Sequence, residues 1–172
     1  MPPSSFSDAQ AARVVAYLKS MADAKRSTAA AGDASRGRSV FAGKGGCAAC
    51  HRVHGIGSRV GPDLSDIGAL RRAAELERSL LDPDADVLPA NRFYRVVAKD
   101  GTITTGRILN LDTFTVQLID SKEQLKSFDK SALREHGFVE RTPMPSVRGR
   151  LSSQELADVV SYLVTLKSRT AP

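Results

Sequence analysis

The chain contains no tryptophan, only two cysteines and three histidines, and 5% aromatic residues among 172. A core this short of large rings must be filled by Leu, Val and Ile, or by something that is not a side chain. Two cysteines exclude a disulfide-rich scaffold. No stretch approaches the roughly 20 apolar residues that a membrane span requires. No secretory signal opens the chain, because Met1-Pro2-Pro3-Ser4 leads straight into a polar amphipathic segment. The formal net charge is +6, but the basic residues are spread along the chain and form no stretch interleaved with aromatics. That argues against nucleic acid and for a solvated face, one suited to an acidic protein partner.

The apolar spacing divides the chain into helical ends around a strand-rich middle. Ser7 to about Ala22 reads as a helix with a capping box of Ser7 and Gln10 and a stripe of Val14, Val15 and Leu18. Ser27 to Asp33 is small and polar and reads as a linker. Asp33 is the expected N-cap of a second helix carrying Gly37, Val40 and Phe41. His54 to Gly61 is glycine-rich and expected to be loop, and Leu70 to Leu81 reads as a helix stopped by Pro83. Phe93–Lys99, Thr102–Asn110 and Thr113–Ile119 read as strands, with Gln124–Asp129 a weaker fourth, and Asp100-Gly101 predicts a two-residue hairpin turn. The last helix has Ser152 and Glu155 as its capping box and Leu156, Val159, Val160, Leu163 and Leu166 as its stripe. It repeats the first without a gap: Ser7, Ala12, Val14, Val15, Tyr17 and Leu18 match Ser152, Ala157, Val159, Val160, Tyr162 and Leu163. The expected organisation is therefore residues 1–32 as a helix and linker, the remnant of a preceding similar domain, and 33–172 as one domain with a β insertion at about 91–135.

The residues that carry chemistry are Cys47-Ala48-Ala49-Cys50-His51. Two thiols three positions apart can add to the two vinyl groups of one haem, and the adjacent imidazole then lies below the iron. The alternatives are poorer. A disulfide needs no following His, a thioredoxin-like pair belongs in a βαβ unit, and a zinc site wants four ligands. For the sixth position, Met144 sits between Pro143 and Pro145, which hold the backbone extended; His136 or an open site are the other readings. His51 also needs an acceptor for its other ring nitrogen, and the Pro62 carbonyl in Gly61-Pro62-Asp63-Leu64 is the candidate. Haem attachment to two cysteines takes place outside the cytoplasm, so the expected location is periplasmic or extracytoplasmic, with an export signal upstream.

On these residues the chain resembles a class I cytochrome c: Gly37 and Phe41, then Cys47 to His51, Gly61 to Leu64, Pro143-Met144-Pro145, and a last helix with Val159 and Tyr162. The resemblance covers roughly residues 33–83 and 140–168. It implies a mainly α fold, here with an inserted small antiparallel sheet, and one covalently attached haem c. It also implies that Gly37 faces the Val159–Tyr162 region, that Pro62 accepts from His51, and that Met144 is the distal ligand. The arrangement with strands between motif and Met is similar to a haem-binding domain of large multidomain proteins from planctomycetes, Verrucomicrobia and acidobacteria.

The function expected is transfer of single electrons between protein partners, either an acidic protein or an upstream domain of the same polypeptide, without enzymatic chemistry of its own. The alternative is a haem enzyme or gas sensor with a labile sixth ligand. A third reading makes the haem structural and the sheet a docking module. The strands themselves read as a docking surface, as a cover for the haem edge on the Met144 side, or as a spacer. They also resemble an RNA-binding Sm-type strand set, but lack aromatic stacking positions.

Overall fold

The computed structural model describes residues 7–26 and 32–167. Helix α1 (Asp8–Arg26) opens on the expected capping box, with the Ser7 N–H donating to Gln10 Oε1 at 2.9 Å. It runs beyond the Ala22 that its periodicity suggested. Most of the linker from Ser27 to Asp33 lies outside the described residues, as does the side chain of Leu18 from the expected stripe.

Helix α2 (Ala34–Ala42) begins where Asp33 predicts, its carboxylate accepting from the backbone N–H groups of Ser35 and Arg36 at 2.8 and 3.0 Å. Helix α5 (Ser153–Thr165) begins at its own capping box, Glu155 accepting from the Ser152 N–H at 2.7 Å and Ser152 Oγ from the Glu155 N–H at 3.2 Å. The two helices cross at Gly37, where a Cβ would stand 1.9 Å from the Asp158 carbonyl oxygen and 2.9 Å from Tyr162 Cβ. No residue with a side chain fits there. Phe41 meets Tyr162 edge-on, ring centroids 5.5 Å apart.

Two short helices line the same core: α3 (Ile67–Leu70) and α4 (Ala73–Leu81). The single helix expected from Leu70 to Leu81 is thus broken at Arg71 and Arg72, and the Glu75 carboxylate accepts from the Arg72 N–H at 2.7 Å to start the second piece. Phe41, Val53, Leu76, Leu80, Val147, Val159, Val160, Leu163 and Leu166 form the buried cluster. In the glycine-rich stretch expected as loop, β2 (Ile56–Gly57) forms and pairs with β1 (Arg52–Val53) just before it. Gly57 at φ 104 and Gly55 at φ 83 supply the turn geometry that L-residues avoid.

The middle of the chain is a five-stranded antiparallel sheet of β3 (Phe93–Ala98), β4 (Ile103–Leu111), β5 (Thr115–Asp120), β6 (Leu125–Asp129) and β7 (Leu133–Phe138), in the order β6-β5-β4-β3-β7. It has its own core of Tyr94, Val96, Val116 and Leu118, flanked by Ile108, Phe128 and Leu133. With nearly as much ordered backbone as α2 to α5 together, it makes the fold α plus β rather than mainly α. The sheet reaches Phe138, past the expected boundary near 135, because β7 returns to pair with β3. The Asp100-Gly101 turn is wider than expected. Ala98 bonds both the Gly101 N–H and, through its own N–H, the Thr102 carbonyl, with Gly101 at φ 88 after a Lys99-Asp100 turn. Phe114 precedes β5 and stands 78% exposed, so its alternation with Val116 does not carry it into the core.

Candidate functional site

Cys47 to Ala49 form one 3-10 turn four residues after α2, with the N–H groups of Cys50 and His51 both donating to the Cys47 carbonyl at 3.1 and 2.9 Å. The turn is reached through Gly45, which is buried, and Gly46 at φ 65. Both thiols are free, Cys47 half-buried and Cys50 exposed. Burial pushes the Cys47 thiol pKa up, partly opposed by the nearby Arg150 guanidinium, so the thiol keeps its proton at neutral pH.

His51 is buried, and its Nδ1 lies 2.9 Å from the Pro62 carbonyl. A carbonyl only accepts, so the proton is on Nδ1 and the lone pair on Nε2. Burial is the main cause that lowers the imidazole pKa, with Arg107 adding to it and the Pro62 bond opposing; the ring is therefore neutral at pH 7. Nε2 has no hydrogen-bond partner among the described residues. Gly61 is pressed against this ring. A Cβ there would lie 3.0 Å from His51 Cε1 and Nδ1, and the Gly61 N–H donates to the Cys50 carbonyl at 2.6 Å.

Met144 is half-buried and packs, with Cys47 and Ala48, against the helical core cluster. Its loop is tied at both ends to the end of α4. Asp84 accepts from the Thr142 N–H at 2.7 Å, and the Leu81 carbonyl accepts from Ser146 Oγ and Arg148 Nε at 2.8 and 3.0 Å. These anchors escaped the sequence reading, since a lone Asp, Ser or Arg in a loop carries no spacing signal. His136 lies elsewhere, on β7, where its Nδ1 is 2.7 Å from the Tyr94 hydroxyl.

Residues 34–112 match the family model for cytochrome c. The match supports a c-type cytochrome domain over these residues. The match takes in α2, the Cys47 to His51 motif, α3, α4 and the first two strands of the sheet, and ends before Met144 and α5. No curated protein matches the chain. Cytochrome c domains bind haem c covalently, transfer electrons and typically work outside the cytoplasm. Among the described residues no helix is long and apolar enough to cross a membrane. The donor chemistry of this cytochrome domain fits the group: two free thiols three positions apart, one bare imidazole nitrogen on a neutral buried ring, and a thioether on the same core.

Proposed function

We propose that the chain is a monohaem cytochrome that passes single electrons, with Cys47 and Cys50 as the covalent attachment and His51 and Met144 as axial ligands. The observation that carries this reading is the His51 ring, neutral, held by Pro62 at 2.9 Å and left with Nε2 bare. Haem supplies an iron that changes oxidation state by one electron. Cys47 and Cys50 tether the group even when an axial bond opens. Pro62 fixes the tautomer and orientation of His51 and raises its basicity toward a metal. Met144, on a loop tied to Asp84 and Leu81, supplies a thioether, which favours the reduced state relative to a second imidazole. With both positions filled by protein, small molecules are kept from the metal, so exchange proceeds with a protein partner. An acidic partner suits the net charge of +6, and a periplasmic location suits the attachment chemistry.

The enzyme or sensor reading needs a distal acid or base, and His136 is engaged with Tyr94 in the sheet. The same proposal takes α1 as a helix of the α5 type serving a neighbouring haem domain. Both have the same capping box, yet Val14 and Val15 are 43% and 49% exposed where Val159 and Val160 are buried. Absorption spectra of the matured protein test the main reading. A low-spin ferrous spectrum indifferent to carbon monoxide, with the weak red methionine-to-iron band when ferric, is expected. Prompt carbon monoxide binding by the ferrous protein sinks the Met144 assignment. Haem extracted by acid–acetone sinks the covalent one.

A further inference from the structure

Arg107 lies on β4 opposite Phe93 on one neighbour and Ile119 on the other. Strand alternation puts it on the face opposite Ile108, away from the sheet's own core. Its side chain crosses to the loop beside His51, where Nε donates to the Val60 carbonyl at 3.1 Å and Nη2 to the Arg59 carbonyl at 3.0 Å. The helical part of the domain holds the same loop at three further points. Ser58 N–H donates to the Ala48 carbonyl at 3.2 Å, Gly61 N–H to the Cys50 carbonyl at 2.6 Å, and His51 Nδ1 to the Pro62 carbonyl at 2.9 Å. Arg107 is thus the strand's hold on a segment whose end orients the imidazole.

The charge of Arg107 is not offset. Both its bonds run to neutral carbonyls, and no carboxylate lies within ion-pair distance of it among the described residues. Glu123 in the β5–β6 turn is taken by Arg59, accepting from its backbone N–H at 3.3 Å and its Nε at 3.4 Å. The sheet therefore reaches the loop on the His51 side of the site.

We propose that Arg107 is a positioning residue: a sheet-borne cation that holds the Arg59–Pro62 loop against His51 and favours the reduced over the oxidised state of the bound haem. This rests on His51 being the proximal ligand. Oxidation adds a positive charge at the metal, and a fixed cation nearby opposes it. At an effective dielectric constant near 20, a unit charge on the order of 10 Å from a redox centre shifts such an equilibrium on the order of tenfold. The inserted sheet thereby sets the potential of the domain, which a mere spacer does not do.

The test is spectroelectrochemistry of the haem-loaded protein and three variants. Arg107→Gln is expected to lower the ferrous-to-ferric ratio at fixed potential about tenfold, which is about 59 mV for one electron. Arg107→Lys keeps the charge without the fork, and its shift is expected to be less than half as large on the same logarithmic scale. Glu123→Gln, at an exposed turn, frees the Arg59 charge beside the loop and is expected to raise the potential. Hydrogen exchange at the Gly61 amide is expected to quicken in Arg107→Gln. An unchanged potential in Arg107→Gln, or equal falls in the Gln and Lys variants, overturns the proposal. If Arg107→Gln fails to take up haem, the other two decide: an unchanged potential in Glu123→Gln, or a tenfold fall in Arg107→Lys, overturns it. A wild-type spectrum without low-spin His-ligated haem would instead defeat the reading beneath it, whatever the variants do.

Discussion

Replacing Gly37 by Ala sets two opposed effects against each other at the α2–α5 crossing. In an isolated helix the change is favourable by about 1 kcal/mol, because Ala loses less backbone entropy than Gly. In this structure the new Cβ would lie 1.9 Å from the Asp158 carbonyl oxygen and 2.5 Å from its carbon. Both are backbone atoms, so no rotamer change relieves the clash. The helices must separate by about 1.5 Å to restore an ordinary contact of about 3.4 Å. A gap of that size forfeits much of the dispersion energy between facing atoms. It also pulls on Phe41 against Tyr162 and on the Asp33 N–H bond to Asp158 Oδ1 at 2.7 Å. Overpacking of this kind costs about 3 kcal/mol or more, leaving a net loss of about 2 kcal/mol. For a chain of this size that lowers Tm by about 4–8 °C. Thermal melts followed by circular dichroism of both proteins measure it. A Gly37→Ala variant as stable as wild type, or more so, would refute the argument that backbone approach decides this position.

Further tests address the site and its supports. Met144→Ala should leave the haem attached through Cys47 and Cys50 while lowering the potential and admitting carbon monoxide; an unchanged spectrum and potential would disprove the ligand assignment. Asp84→Ala removes the acceptor for the Thr142 N–H, worth about 1 kcal/mol, and should speed carbon monoxide binding to the ferrous protein if that anchor steadies Met144. Stopped-flow mixing that shows no change would mean that the Leu81 anchors suffice. The Asp158 carboxylate is held well below its ordinary pKa, first by the Arg36 guanidinium at 2.9 Å and then by the Asp33 N–H. A depressed folded-state pKa gives stability that is present above the unfolded value near 4 and drains away as pH falls below it. Acid titrations of stability should therefore be less steep below about pH 4 in Asp158→Asn than in wild type; parallel curves would show that Asp158 is not a main source of the slope.

The parts of this protein legible in its residues are those decided by near neighbours. Asp33, Ser7 and Ser152 start helices because a side-chain oxygen needs only the N–H groups two or three residues on, and the structure has all three helix starts where those residues stand. The Cys47 to His51 motif is likewise local, since one tight turn brings two thiols and an imidazole together. Strands β3 to β5 announce themselves by β-branched and aromatic residues, and β6 does so more weakly through its alternation alone. The fifth, Leu133–Phe138, with Arg134, Glu135, His136 and Gly137 inside it, does not. It is a strand because β3 offers it unpaired backbone, which is a tertiary fact.

What only the folded structure decided depends on groups far apart in sequence. Asp158 reads as one more polar residue on a helix until α2 brings Arg36 to it across 122 positions. Arg107 looks like an outward charge on a strand until the sheet turns that face toward Arg59 and Val60. Spacing within an element specifies which face a residue occupies. What that face meets is set by how the two cores pack, and it is there that a solvated arginine becomes a charge beside His51.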